Sequence, residues 1–295
     1  MINQENFKET VFDTANQKNS FGNKILYDMC KLNTTSWDPA NVLGDKIWLI
    51  GRSYAASPER RYKWNTNEQL SEKDKKLTTV GDGTETYFHW IAGMLKFPLE
   101  NFENAKYKFD FSGDDLNILT ESVKAVIKFN ATVLDANKEY DKSFNPKQFA
   151  HMIHRNQISF CSKFLHFHYP DRIFIIDEFS EYGGKYLFSK TNRTNAQLGD
   201  IALKAKATCQ DLRASIDKSL KNREKFEKDI EEFIEKPIHG FDKDLVKDYT
   251  AHCLHAYLTG CLIQICANGQ LIECSMPRAV DNLLLHIKAG VKNPS

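Results

Sequence analysis

Residues 159–170 read SFCSKFLHFHYP, and the apolar run Ile173-Phe174-Ile175-Ile176 leads from there to Asp177. The spacing of the phenylalanines predicts a helix that stops at Pro170, because proline cannot continue a helix. The apolar run predicts a short extended segment. Lys163 then lies in mid-helix among three phenylalanines, and Asp177 follows it by 14 residues. A short turn would bring this carboxylate back beside the helix.

An amine and a carboxylate in such a setting support two interpretations. Aromatic neighbours withdraw the Lys163 side chain from water, which lowers its pKa and raises the fraction of neutral amine. A neutral amine is a nucleophile that forms Schiff bases, and the Asp177 carboxylate would stabilise a positive charge beside it. The other interpretation is a structural ion pair, because ion pairs perturb pKa values without serving a function. The residue types alone favour the structural ion pair.

Helical patterns dominate the rest of the chain. Amphipathic spacing predicts helices over 7–31, 86–97, 114–134, 146–169, 196–236, 248–267 and 278–288. Residues 65–84 are polar and rich in Lys, Asp, Thr and Gly, which predicts a surface loop or lid. No stretch alternates with the regularity of a β-rich fold. The expected fold class is therefore all-α.

Composition and charge exclude several classes of protein. The chain has 295 residues, 41% of them hydrophobic, which excludes a disordered protein. Its 40 Lys and Arg against 39 Asp and Glu exclude a polycation that binds nucleic acid through overall charge. A local basic groove remains compatible with this sum, because opposite charges elsewhere would hide it.

The cysteines and the most apolar stretch indicate a cytoplasmic protein with no membrane partner. Seven cysteines without a CxxC pair predict reduced thiols rather than a disulfide framework or a zinc ribbon. Residues 251–267 are interrupted by His252, His255 and Gln264 and are short for a bilayer span, so a buried helix is expected. The polar start of the chain predicts no signal peptide.

The segment from 156 to 179 resembles the core of the helix-hairpin-helix DNA glycosylases, the superfamily of 8-oxoguanine DNA glycosylase. In that family a hairpin leads into a helix with the catalytic lysine, and an extended Pro-Val-Asp-Thr-His piece supplies the catalytic aspartate. Lys163 stands at the place of that lysine, and Ile175-Ile176-Asp177-Glu178-Phe179 at the place of the aspartate segment. The family's hairpin reads Leu-Pro-Gly-Val-Gly-x-Lys, whereas residues 156–163 contain no glycine. These departures indicate a divergent prokaryotic branch.

The resemblance implies a bilobal helical fold with a DNA cleft between the lobes. The N-terminal lobe would span 1–115 and the catalytic lobe 116–295, with interleaving allowed. The implied activity is excision of a modified base after base flipping, with Lys163 as the nucleophile and Asp177 as the catalytic carboxylate, with or without a lyase step. The implied substrates are oxidised bases in repair or modified phage bases in antiviral defence. No cofactor and no metal is expected, and DNA is the expected partner.

Further residues are candidates for binding DNA. Arg52, Tyr54, Arg60, Arg61 and Trp64 offer cations for phosphates and rings for stacking on an extruded base. An ordinary turn with arginines in water is an equally good interpretation of this cluster. Other candidates stand near the two catalytic positions in the sequence: Ser159, His166, His168, Lys185 and Arg193.

Several alternatives stay open at this point. His166 and His168 each fit a structural role better than a place in a nucleotide pocket. Arg278 and Asp281 are expected to pair on a helix surface or to brace the catalytic lobe from behind. The competing functions are a non-catalytic DNA-binding module on the same scaffold and an intracellular nucleotide-processing enzyme. The sequence defines neither the excised base nor the oligomeric state.

Overall fold

The computed structural model describes residues 4–17, 21–31, 40–54, 56, 58–65, 85–95, 109, 111, 116–189, 200–235 and 243–292. Within these ranges the fold is all-α, as predicted, with eleven α-helices and one two-stranded sheet. The helices are α1 (Gln4–Ala15), α2 (Phe21–Lys31), α3 (Ala40–Ser53), α4 (Glu85–Met94), α5 (Asn117–Phe144), α6 (Ile158–His168), α7 (Glu178–Phe188), α8 (Asp200–Lys218), α9 (Leu220–Glu235), α10 (Lys243–Ala267) and α11 (Met276–Lys292). The strands are β1 (Tyr62–Trp64) and β2 (Met152–His154), and a 3-10 turn (Phe149–His151) precedes β2.

Helix α10 lies at the centre of the core. It buries side chains around its whole circumference, including Val246, Tyr249, Tyr257 and Leu262. A helix that is apolar on all sides is stable only when neighbours cover it, and here α1, α5, α7, α8, α9 and α11 pack against it. This confirms the prediction of a buried helix over 251–267.

The helix with Lys163 is short and almost entirely buried. Phe160, Phe164 and Phe167 are each at most 1% exposed, and α2, α3 and α5 cover them. The helix ends at His168, and the segment 173–176 that follows is buried and has neither helical nor strand structure. The predicted end of the helix near Pro170 is therefore confirmed, and the extended conformation of 173–176 stays a prediction.

The prediction of one continuous helix over 146–169 is wrong in its first half. Residues 152–154 form β2, which pairs antiparallel with β1 so that Tyr62 faces His154 and Trp64 faces Met152. The pairing joins segments about ninety residues apart in the sequence, so no local periodicity predicts it. The structure shifts other predicted boundaries as well, because α5 continues to Phe144 and the region 196–236 contains two helices, α8 and α9.

Contacts between helices connect the two predicted lobes. Helix α1 packs on α10 and α11, and α2 and α3 both pack on α6. The division at residue 115 and the bilobal form stay predictions. Most of the predicted loop at 65–84 lies outside the described residues. No described helix combines the length and apolarity needed to span a bilayer.

Candidate active site

Lys163 and Asp177 lie close together at the N-terminal end of α7. The Nζ atom of Lys163 lies 3.6 Å from Oδ2 of Asp177. The same nitrogen donates to Oγ of Ser159 at 3.3 Å and to the backbone carbonyl of Tyr54 at 3.4 Å. It lies 5.7 Å from the centre of the Tyr54 ring. The predicted proximity of the amine and the carboxylate is confirmed.

Hydrogen bonds from α6 hold residues 173–176 in place and so fix the position of Asp177. Oγ of Ser162 accepts from the backbone N–H of Ile176 at 3.1 Å. Nδ1 of His166 lies 2.8 Å from the carbonyl oxygen of Ile173. Ser162 and Ile176 are separated by the same 14 residues as Lys163 and Asp177. The segment thus returns past α6 with its carboxylate beside the lysine.

The Asp177 side chain has two separate tasks. As the N-cap of α7, its Oδ1 accepts from the backbone N–H groups of Phe179 at 2.9 Å and Ser180 at 2.8 Å. The Ser180 hydroxyl in turn accepts from the backbone N–H of Asp177 at 3.1 Å, which completes a capping box. Only Oδ2 faces Lys163. The cap therefore positions the carboxylate without using the oxygen that faces the amine.

The lysine is buried, whereas the carboxylate is accessible from one side. The side chain of Lys163 is 3% exposed and that of Asp177 is 21% exposed. Burial lowers the pKa of Lys163, and the negative charges of Asp177 and Asp281 act against this shift. The three neighbouring oxygens match the three N–H donors of an ammonium group. The net effect is a Lys163 pKa below its ordinary value.

A second carboxylate, Asp281 on α11, acts electrostatically on Lys163. Its Oδ2 accepts from Nη1 of Arg278 at 2.6 Å, and its side chain is buried. Burial raises the pKa of Asp281 to about 6, while the positive charges of Arg278 and Lys163 act in the opposite direction. The expected pair exists, but it is buried rather than on the helix surface, which fits the bracing interpretation.

Tyr54 and Ser159 both contact Lys163, whereas their contact with DNA stays a prediction. Tyr54 contributes its carbonyl and its ring to Lys163, and its hydroxyl donates to Oδ1 of Asn23 on α2. Burial raises the pKa of this hydroxyl to about 12. Tyr27, also on α2, packs against Phe167, which lies next to Tyr54. Tyr27 and Asn23 are not predicted as site residues, because no local sequence pattern links them to a lysine far along the chain.

The prediction that His166 contacts the nucleotide is wrong. Its ring is fully buried, Nδ1 donates to the carbonyl of Ile173, and Nε2 accepts from the hydroxyl of Tyr27. Burial lowers the pKa of His166 to about 3, so the ring is neutral. Both nitrogens serve the structure. His168 donates to the carbonyl of Phe164 at 2.9 Å, and a position five residues past Lys163 lies on another side of α6.

The prediction that Arg61 contacts a phosphate is also wrong. Its side chain is 1% exposed and forms a two-pronged ion pair with Asp141, at 2.7 Å and 3.0 Å. The rings of Tyr87 and Tyr140 lie on it, each 4.8 Å from the guanidinium carbon. His154 also binds Asp141, at 2.9 Å. This arginine joins β1 to α5 inside the protein and is closed to any ligand.

The remaining candidates that the structure describes are exposed or half-buried. Arg52 is half exposed and pairs with Glu59 at 2.8 Å, and Arg60 is exposed. Trp64 is half-buried on β1. Lys185 is exposed and pairs with Glu181 one turn earlier on α7. Arg193 lies outside the described residues.

Two cavities lie away from Lys163 and Asp177. Two cavities of about 310 and 470 Å³ lie along α9, and neither is lined by Lys163 or Asp177. A positively charged crevice at Lys163 stays a prediction. In the part of the chain that the structure describes, no three His, Cys, Asp or Glu side chains are grouped to hold a metal ion.

Comparison of the chain with protein-family models, with curated proteins and with solved structures gives no match. The function is therefore inferred from the contact of Lys163 with Asp177 and from the residues by which the sequence resembles a known superfamily.

Proposed function

We propose that the protein is a DNA glycosylase of the helix-hairpin-helix type that removes a modified base through Lys163 and Asp177. The observation that carries this proposal is the contact of 3.6 Å between Lys163 Nζ and Asp177 Oδ2, with the amine buried and the carboxylate partly open to solvent. Lysines in dry surroundings are the ones that become nucleophilic amines. A purely structural ion pair would need neither the accessible edge nor the second buried carboxylate.

The chemistry begins when a nucleotide leaves the duplex and its sugar reaches the open side of Asp177. The neutral amine of Lys163 attacks C1′ and forms an N–C1′ bond, while the bond from C1′ to the base breaks. The base leaves with the electron pair and takes up the proton that the attacking nitrogen releases. The Asp177 carboxylate stabilises the positive charge that develops on the sugar. Ring opening then yields a Schiff base, from which β-elimination of the 3′ phosphate nicks the strand.

A water molecule directed by Asp177 is the alternative nucleophile. It would leave an abasic site with no covalent intermediate, and Lys163 would then act through its charge alone. The burial of the amine favours the covalent route, because burial lowers the pKa of Lys163 and increases the fraction able to attack.

Exposed cations near the centre fit a DNA partner. Arg52 lies in the last turn of α3, two residues before Tyr54, whose carbonyl contacts Lys163. Arg60 and Arg155 are exposed at the same end of the β1–β2 sheet, and Lys63 is exposed in the middle of β1. Cations on neighbouring surface segments are the residues that hold a phosphate backbone. The experiment below identifies the released base and so distinguishes a repair lesion from a modified phage base.

The first prediction concerns release of a base from DNA. Incubation with a panel of modified genomic DNAs, phage DNAs among them, is expected to release one class of free base, detected by mass spectrometry. DNA binding is expected to weaken as salt concentration rises. Salt-sensitive binding without any released base would instead establish the non-catalytic DNA-binding module. The absence of any affinity for DNA would favour the enzyme acting on small nucleotides.

A further inference from the structure

Two aromatic side chains at the start of α7 are exposed close to Asp177. Phe179 is 47% exposed and Tyr182 is 39% exposed. The backbone N–H of Phe179 donates to the Asp177 carboxylate at 2.9 Å, so this ring begins beside the candidate active site. Residues three positions apart lie on the same face of a helix, which places both rings on one face of α7. We call Phe179 and Tyr182 the aromatic pair.

A buried ammonium group supports the aromatic pair from the protein side. Nζ of Lys288 on α11 lies 4.2 Å from the centre of the Phe179 ring and 4.8 Å from the centre of the Tyr182 ring. Lys288 itself is only 4% exposed, because α11 packs against α7. A cation attracts the face of an aromatic ring most strongly where water is excluded. Both rings are therefore held in place on one side while much of their surface faces solvent.

The apolar area of the aromatic pair is small. Glu178, Glu181 and Lys185 lie next to it on α7, and Glu181 pairs with Lys185. A stable protein–protein interface buries about 800 Å² on each partner, whereas one aromatic side chain contributes about 150–250 Å². Two rings bounded by charged side chains suit small flat groups better than the broad surface of another protein.

Unpaired nucleobases have the chemistry that fits such a surface. Every base has a flat face that stacks on an aromatic ring, and proteins that bind single strands combine such rings with positive charge. Lys288 places a positive charge directly behind both rings, which favours a partner of negative charge such as a nucleic acid strand. A duplex hides the faces of its bases in the stack, so only unpaired bases can use the rings.

We propose that the aromatic pair stacks on unpaired bases of the DNA strand, next to the nucleotide that reaches Asp177. This inference rests on the proposed function, because it takes the sugar of the extruded nucleotide to lie at the open side of Asp177. Tyr182 lies about 8 Å from Asp177 along the helix axis, at 1.5 Å per residue. A strand with one sugar at Asp177 therefore reaches both rings with its adjoining nucleotides.

The test measures stacking on single-stranded oligonucleotides that contain 2-aminopurine, a base whose fluorescence changes when a ring stacks on it. The full chain is titrated with these oligonucleotides, and with the matching duplex, at one salt concentration. Phe179→Leu and Tyr182→Leu keep an apolar side chain but remove the ring. Each is expected to weaken binding of the single strand by at least about fivefold and to reduce the fluorescence change.

Two further variants separate stacking from general effects. Phe179→Tyr keeps the ring and is expected to bind as the unaltered protein does. Phe144→Leu is the matched control, because Phe144 is 50% exposed at the end of α5. It is expected to leave binding and fluorescence unchanged. Circular dichroism checks that every variant is folded.

The outcomes separate this inference from the proposed function. Unchanged binding and fluorescence in both Phe179→Leu and Tyr182→Leu would overturn the role of the aromatic pair. An equal loss in Phe144→Leu, or binding of the duplex alone, would overturn it as well, and base release from DNA would then still support the glycosylase. If the ring variants weaken stacking as expected but no base is released from any DNA, the glycosylase proposal fails and the stacking surface stands.

Discussion

Replacing Lys163 with glutamine is expected to abolish base release, with a loss of at least about 10³-fold, while the fold survives. Glutamine retains a donor for Ser159 or the Tyr54 carbonyl but has no nucleophilic nitrogen. Asp177→Asn is expected to cost about 10²- to 10³-fold, because it removes one charge that stabilises the developing positive sugar. Asparagine is also a good N-cap, so α7 should still form.

The measurement is single-turnover release of free base, followed by mass spectrometry at matched protein concentrations. Lys228→Gln is the matched control, since Lys228 is an exposed lysine on α9 that pairs with Glu232 one turn away. It is expected to turn over at the normal rate. Normal rates in both Lys163→Gln and Asp177→Asn would remove the mechanism.

Replacing Arg61 with methionine is expected to lower the free energy of unfolding by about 3–5 kcal/mol. The change leaves the Asp141 carboxylate buried, with His154 and Asn145 as its remaining partners among the described residues. It also removes the cation that contacts the rings of Tyr87 and Tyr140. A loss of this size approaches the total stability of many domains.

Urea denaturation at neutral pH measures this loss, and Lys142→Met provides the comparison. Lys142 pairs with Glu139 on the surface of α5, both about half exposed, and a pair of that kind contributes less than about 1 kcal/mol. If Arg61→Met costs no more than Lys142→Met, then Arg61 does not hold the inner end of the sheet. Its assignment as a buried structural residue would then be withdrawn.

The sequence predicts the element with the lysine and the meeting of Lys163 with Asp177, because both depend on local signals. Phenylalanine spacing defines α6, Pro170 marks its end, and the extended run returns the chain over only 14 residues. The N-cap at Asp177 is a local feature of the same kind. Prediction succeeds here because each signal acts within a few turns of the chain.

The misassigned residues have partners far away in the sequence. Arg61 pairs with Asp141, 80 residues further on, and His166 pairs with Tyr27, 139 residues earlier. An arginine in a polar turn and a histidine on an apolar helix look available when such partners are unknown. The β1–β2 pairing is missed for the same reason. Asp281 illustrates the converse, because its burial appears only when α11 packs against α7.

Covalent trapping with borohydride shows whether Lys163 bonds to the sugar during base release. The unaltered protein is incubated with the DNA from which it releases a base, borohydride is added during turnover, and the protein–DNA adduct is digested and mapped by mass spectrometry. We expect one adduct, on the nitrogen of Lys163, that forms in step with base release and is absent in Lys163→Gln. Base release with no adduct, or with the adduct on another residue, would contradict the claim that Lys163 is the nucleophile.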